Sequence, residues 1–362
     1  MRAWSKAARR SRHGCCSHWA AAWIVVALLC VFDAAKADGL GQSFRRVTGA
    51  VVVLHTSERR VAIAPSTGGA VMVTAEGLGS GVLVSEDGLV VTAAHVVQVA
   101  DRVEVEFIDH QRIVADVIGA SALDDVALLK LTSPVHGIRP AKWGDSDKVE
   151  IGDPVFVVGA PYGLDHTLTS GRISGRRPRG IFGASDPQGE LLQTDAAINR
   201  GNSGGPLFDE KGQLIGIVSF ILSESGGFEG LGFAVTSNTV HQVLIANRAV
   251  WTGMSGVLVS GEVASALQLP QPGGYVIQQV ARYSPAERAG LKPGRIPAVI
   301  AGESLLLGGD IILAVDGTEV DGTVERSRVI LDYLAQRPPG TSVKLRLLRD
   351  GSQQEIVSYA PR

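Results

Sequence analysis

The stretch "TDAAINRGNSGGPLFDEKGQLIGIVSF", residues 194–220, places one serine, Ser203, inside a run of glycines and then turns into an apolar segment. Three readings fit "GNSGG" by itself. It is a G-x-S-x-G elbow, in which a strand hands a nucleophile directly to a helix. It is equally a G-x-S-G-G-P turn between strands, or a tight turn of small residues without chemistry, as most glycine clusters are. The elbow needs a helix that starts at the serine. Here Pro206 comes three residues later, and "PLFDEKGQLIGIV" reads as strand, Asp-Glu-Lys-Gly turn, strand. A serine on such a turn puts the surrounding unit among β structures.

Residues 48–235 repeat that pattern outward. Short β-branched runs at 51–54, 71–74, 81–85, 89–93, 103–107, 126–131, 155–158 and 214–221 are separated by glycine or Asp/Asn turns. No segment of 3.6-residue period intervenes, which indicates an antiparallel sandwich or a pair of barrels. The first helical period is 237–248, where Val240, Val243, Leu244 and Ala246 share a face behind a capping Ser237. A second unit begins near Trp251, with strands at 275–280, 310–315 and 342–348, a short helix opened by Ser284-Pro285 and a longer one over 324–336. That mixture makes a small, separate α+β domain.

Residues 1–37 stand apart from both units. Arg2, Arg9, Arg10 and Arg12 precede thirteen apolar residues at 20–32, and Ala35-Lys36-Ala37 supplies small residues at signal-peptidase spacing. Thirteen falls short of the ~20 that a membrane span needs and suits a secretory segment. The expectation is a signal peptide over 1–37 and an exported, periplasmic chain, with an uncleaved membrane anchor as the alternative. Cys15, Cys16 and Cys30 all lie in this segment, so the processed chain has no thiol and no disulfide framework. Lys plus Arg number 34 against 36 Asp plus Glu, a balance that gives no field for drawing in nucleic acid, and no nucleic-acid partner is expected. No cluster of His, Cys or carboxylates has metal-ligand spacing, so neither a metal nor another cofactor is expected.

A nucleophilic Ser203 needs a base and an orienting carboxylate, and their order along the chain is diagnostic. Downstream only His241 remains, in the helical segment after the last strand. Upstream, "LVVTAAHVV" ends an apolar strand and presents His95, and "SALDDVALLKL" sets Asp125 immediately before a buried strand. A carboxylate there is costly unless it accepts hydrogen bonds. Each residue alone has a plain reading, a structural histidine at a strand end and a turn aspartate. The joint order His95, Asp125, Ser203 is the chymotrypsin order, and it is the conjunction that points to catalysis. Asp124 is the alternative acid.

These residues resemble the HtrA (high-temperature-requirement A) family of trypsin-like serine proteases. The matching pieces are "GLGSGVLVSEDGLVVTAAHVV" from Gly77, "DDVALLKL" from Asp124, "GDPVFVVGAPYGLDHTLTSGRIS" from Gly152, "TDAAINRGNSGGPLF" from Thr194 and "GLGFAVTSN" from Gly230. Beyond Trp251, "GGYVIQQVARYSPAERAGLKPG" and "GGDIILAVDGTEV" are similar to the family's C-terminal PDZ domain. The resemblance implies a mainly β fold: a chymotrypsin-like double six-stranded β-barrel over 44–249, then a small α+β PDZ domain over 251–361. Two departures stand out, the residues 295–308 inserted after the A-G-L-x-P-G turn, and a short 57–75 segment where some members carry a long regulatory loop.

The same resemblance implies roles. His95 would act as general base, Asp125 as its orienting acid and Ser203 as nucleophile, with the N–H groups of Gly201 and Ser203 forming the oxyanion hole. Ala197, six residues before the serine where a basic-residue preference needs a carboxylate, together with Ile198, Phe220, Ile221 and Leu222, would form a pocket for Val, Ala or Leu. Asn202 cannot make the ion pair of trypsin-like zymogens, so control by loop ordering is expected, with 170–189 and 223–230 as the mobile loops. Arg172, Arg176, Arg177 and Arg179 in the first loop either contact a neighbour or form a solvated face. Trp251, Thr252, Gly253 and Met254 would form the PDZ loop that grips a C-terminal carboxylate. The implied partners are unfolded or misfolded polypeptides, C-terminal peptides at the PDZ domain, and copies of the chain in a homotrimer or higher homo-oligomer packed near Phe44.

Overall fold

The computed structural model describes residues 39–64, 69–160, 166–178 and 189–360. The expected export segment and its three cysteines lie outside the described residues, as does Arg179. Strands β1 (Val51–Ile63), β2 (Ala70–Leu83), β3 (Leu89–Thr92), β4 (Arg102–Glu106), β5 (Arg112–Ser121) and β6 (Val126–Leu131) close into a barrel in the order β1-β2-β3-β6-β5-β4. Leu54, Leu83, Val90, Val105 and Leu129 share one face by register, fill the barrel and are shut off from solvent. These are the β-branched and leucine runs of the sequence, turned inward by the period-2 pleat.

The second barrel follows. After the two-residue β7 (Lys142–Trp143), strands β8 (Pro154–Gly159), β9 (Thr167–Arg177), β10 (Leu191–Thr194), β11 (Pro206–Asp209), β12 (Gln213–Ile221) and β13 (Gly232–Thr236) form a sheet that β11–β12 pairing closes. Its six-stranded ring encloses Val157, Leu192, Leu207, Ile215 and Val218. β7 adds to the outside of β12 in parallel. This is the double barrel that the resemblance implies.

Several local expectations change. β1 and β2 run much further than the apolar periodicity shows, pairing from Val51–Val82 to Ile63–Ala70, because their far halves project into solvent and carry no inward face. The segment after β13 is one α-turn, α2 (Ser237–Val240), that widens into a π-helical turn over His241–Ala246. Its cap is Thr236, whose side chain accepts from the Thr239 N–H, while Ser237 donates to the Gly144 carbonyl. His241 stands edge-on to Trp143, with ring centroids 5.8 Å apart. The expected mobile loop 170–189 begins as β9, and its described arginines bond within the domain. Arg172 donates to the Gly152 carbonyl, Arg176 to Glu190 and the Ser146 carbonyl, and Arg177 to Gln193.

In the PDZ unit, β14 (Met254–Ser260), β15 (Gly273–Val280), β18 (Ile311–Val315), β20 (Ser342–Arg349) and β21 (Ser352–Tyr359) lie side by side, with β19 (Thr318–Glu319) beside β18. Val343, Leu345 and Leu347 alternate inward along β20 against Ile277, Ile312 and Ile330. Ile330 belongs to α5 (Val324–Ala335), which Thr323 caps by accepting from the Arg326 N–H. Ser284 caps α4 (Pro285–Arg288) in the same manner, as its sequence suggests. The insertion forms a hairpin, β16 (Ile296–Ile300) and β17 (Glu303–Leu307), whose Leu305 joins a second core with Val259, Val276 and the short α3 (Gly261–Ala266). The hairpin thus covers the sheet face opposite α5.

Candidate active site

His95 sits in α1 (Ala94–Val97), a single turn that follows β3 directly, and Asp125 ends the turn between β5 and β6. Asp125 has φ 53°, a left-handed backbone that is uncommon outside glycine and persists only where surroundings fix it. They do fix it. Its carboxylate accepts from the His95 backbone N–H at 3.0 Å and lies 2.9 Å from His95 Nδ1 through both oxygens. Ser219 on β12 donates its hydroxyl to Oδ2. Donors on both oxygens satisfy this buried carboxylate.

That geometry sets the imidazole. Nδ1 holds its hydrogen toward Asp125, so Nε2 carries the lone pair. Burial disfavours charge on the ring, but the Asp125 carboxylate, by its charge and its hydrogen bond, outweighs that and raises the His95 pKa above the ordinary 6.5. Among the described residues His95 Nε2 makes no hydrogen bond, and His95 and Ser203 line one cleft of about 540 Å³. A base and nucleophile commonly close up only with substrate bound.

The serine turn is built against the first barrel. Ser80, fully buried on β2, donates its hydroxyl to the Gly201 carbonyl at 2.6 Å and accepts from the Ala160 N–H at 3.0 Å. Its backbone N–H bonds the Ser203 carbonyl at 2.9 Å, and its carbonyl accepts from Thr92 Oγ1 at 2.7 Å. Gly201 and Gly204 have φ 99° and 80°. A Cβ at Gly204 would stand 2.4 Å from the Ser80 carbonyl oxygen and 2.8 Å from the Ala93 nitrogen, so only glycine lets the turn approach this closely. Asn202 is buried, and its Oδ1 has no partner among the described residues.

The cleft collects some of the expected specificity residues and not others. Ile198, Phe220 and Ile221 line it, together with Ser219 and Arg200. Phe220 stacks on Phe233 with centroids 4.9 Å apart, which fixes its ring as a wall. Ala197 does not line the cleft, its carbonyl accepting from Thr169 Oγ1, and Leu222 lies outside it with about half its surface in solvent. Asp124, the alternative acid, faces away from His95 and bonds Ser121 and Arg328.

The four PDZ residues also divide. Thr252 and Met254 line an apolar cavity of about 180 Å³ between β14 and α5, whereas Trp251 lines a separate cleft and donates Nε1–H to the Gln98 carbonyl at 3.0 Å. Gly253, at φ 70°, packs on Ser284, and its carbonyl accepts from the Ala281 N–H. Ser80, Ser219 and Gln98 escaped the sequence reading. Only the G-S-G around Ser80 hinted that a backbone comes close there.

Comparisons agree with this architecture. The trypsin-like peptidase domain family matches residues 79–217, and the PDZ domain family matches residues 230–357. A relative from Ectopseudomonas mendocina described as a probable periplasmic serine endoprotease, DegP-like, is 35% identical over 305 residues, spanning 83% of this chain and 59% of the relative. One of the same description from Halomonas elongata is 37% identical over 289 residues, spanning 77% and 55%. This chain therefore spans a little over half the length of these curated relatives. Among solved structures, a variant of the HtrA-type protease AlgW with a decapeptide is similar at TM-score 0.54 and 28% identity, over 89% of this chain and 97% of that one. The same type of variant with a tripeptide gives 0.51 and 29%, over 89% and 96%.

Proposed function

The chain belongs to the HtrA family of trypsin-like serine proteases with a PDZ domain, and from that premise we propose that it is a serine endopeptidase of periplasmic protein quality control. The observation that carries this reading is the Asp125-bound His95 facing the same cleft as Ser203. Ser203 Oγ attacks a peptide carbonyl while His95 Nε2 takes its proton. Asp125 holds the ring and stabilises the imidazolium that forms. The tetrahedral oxyanion is met by the Gly201 and Ser203 N–H groups, each donor lowering the barrier by ~3–4 kcal/mol. His95 then returns the proton to the leaving amine, and water releases the acyl-enzyme by the same path.

The PDZ domain supplies the partner. The apolar groove between β14 and α5, with Thr252 and Met254 at one end, suits an extended peptide that ends in apolar residues and a free carboxylate. Such ends are exposed on misfolded exported polypeptides, which are the proposed substrates, and occupancy of the groove regulates cleavage. A homotrimer packed near Phe44 is the proposed assembly, read out by native mass. Purified full-length protein should digest casein and take up a fluorophosphonate, and Ser203→Ala should abolish both. Casein digestion that survives Ser203→Ala refutes the mechanism.

A further inference from the structure

Asp124 is buried, at 1% exposed, yet it makes no bond to His95. Its carboxylate accepts from Ser121 Oγ at 2.7 Å and from both terminal nitrogens of Arg328, at 3.0 and 3.2 Å. Arg328 lies on α5, the PDZ helix that flanks the peptide groove. A guanidinium fork on a carboxylate fixes an orientation as well as a charge, which a single point charge does not.

The turn it grips is the one that carries Asp125. Asp125 keeps its left-handed φ only because its side chain is held on one side by His95 and Ser219. On the other side the chain is held through Asp124. Ala122, in the same turn, lines both the catalytic cleft and the PDZ cavity, where Leu123 joins it. The PDZ domain also touches the segment that carries His95, since Gln98 donates its amide to the Met254 carbonyl at 2.9 Å. Both members of the His95–Asp125 pair thus stand on segments that the PDZ domain holds.

We propose that Arg328 is a positioning residue for peptide hydrolysis, its grip on Asp124 fixing the 121–125 turn so that Asp125 meets His95. This rests on the triad reading above and adds that the PDZ domain completes the active site instead of serving only as a peptide receptor. Removing the cation leaves the Asp124 charge buried and uncompensated beside the pair, a strongly unfavourable state that the turn relieves by shifting. The negative charge also favours the imidazolium form of His95. The other charged groups facing His95 across the cleft are Asp125 and Arg200, and neither is altered in the test.

The experiment uses full-length protein, a short chromogenic peptide ending in valine, and active sites counted with a fluorophosphonate. Failure of the wild type to label or cleave would overturn the triad reading itself, a result separate from those below. Per counted site, Arg328→Gln should lower kcat by roughly tenfold with KM changed less than about twofold, the pattern of a lost transition-state contact. The acid limb of kcat/KM should move to higher pH. Arg328→Lys should fall between, and Asp124→Asn combined with Arg328→Gln should return the limb to its wild-type position. A wild-type kcat and limb in Arg328→Gln overturns the proposal. So does an equal loss in single and double variants with an unmoved limb, the mark of a structural role alone. Should Arg328→Gln yield no folded protein, Asp124→Asn decides: a severalfold lower kcat with the limb moved to lower pH, as the unpaired Arg328 cation disfavours the imidazolium, supports the proposal, and a wild-type kcat or an unmoved limb overturns it.

Discussion

Replacing Ser80 by alanine removes one oxygen that two buried backbone groups share. The Gly201 carbonyl loses its donor at 2.6 Å and the Ala160 N–H loses its acceptor at 3.0 Å. Each unsatisfied buried group costs about 1–3 kcal/mol, so the pair costs about 2–6 kcal/mol. A mid-range loss of about 4 kcal/mol lowers the Tm of a domain this size by about 8–16 °C. The backbone bond from the Ser80 N–H to the Ser203 carbonyl survives, so the serine turn stays attached, while the 201–202 peptide keeps only the bond from the Asn202 N–H to the Asn199 carbonyl at 3.0 Å and is held at one end alone. A tilt of that peptide about its remaining bond turns the neighbouring Gly201 N–H away from the proposed oxyanion position, and one lost donor costs roughly 10²–10³ in kcat. Calorimetry and peptide hydrolysis per titrated site should therefore fall together, with KM nearly constant. A Tm within about 2 °C of wild type, or an unchanged kcat in a destabilised protein, refutes the reasoning.

Three more outcomes are expected. A base with a raised pKa stays protonated to higher pH, so the acid limb of kcat/KM should lie above 6.5, and a midpoint below that value contradicts the Asp125 contact. The hydrogen bond from His110, against the opposing effect of burial, together with those from His55 and Arg112, holds the Glu106 carboxyl down at about 2, below its ordinary 4.5. A depressed carboxylate stabilises the fold above its unfolded value and loses that effect as pH falls through the folded one. Glu106→Gln should thus lower the Tm by a constant margin above about pH 5.5 that shrinks between 4.5 and about 2. Profiling with peptide libraries should find Val, Ala or Leu before the cut, since Ile198, Phe220 and Ile221 wall the cleft and Arg200 repels a basic side chain. Preferred cleavage after arginine would reject that pocket.

The double barrel was legible because each inward face is written in β-branched residues at period two, and a candidate triad could be named because His95, Asp125 and Ser203 fall in a diagnostic order. What stayed hidden has physical causes. Ser80 Oγ meets the Gly201 carbonyl across 121 positions of sequence, and nothing in a G-S-G segment distinguishes that serine from any small strand residue. Thr236 and Ser237 both offer capping hydroxyls, and only the path of β13 decides that the first is used. The far halves of β1 and β2 and the exposed strand of the inserted hairpin have one face in water and the other only partly covered, so burial leaves no alternation to read. The grip of Arg328 on Asp124 spans 204 positions and two domains, and pattern within either domain says nothing of it.

His95 and Asp125 come from the first barrel, whereas Ser203 and the Ser219 hydroxyl that steadies Asp125 come from the second. By the proposed triad, neither barrel alone holds the whole site. A chain emerging from its N-terminus builds the first barrel without a nucleophile, and the second barrel, folded on its own, has a serine without a base. On the proposed mechanism, chemical competence requires that the two barrels have docked, with Ser80 closed on the serine turn, and that the PDZ domain has taken its place. If the proposed mechanism holds, destructive activity in this molecule is a readout of its own completed folding, and a half-made copy is inert toward its neighbours.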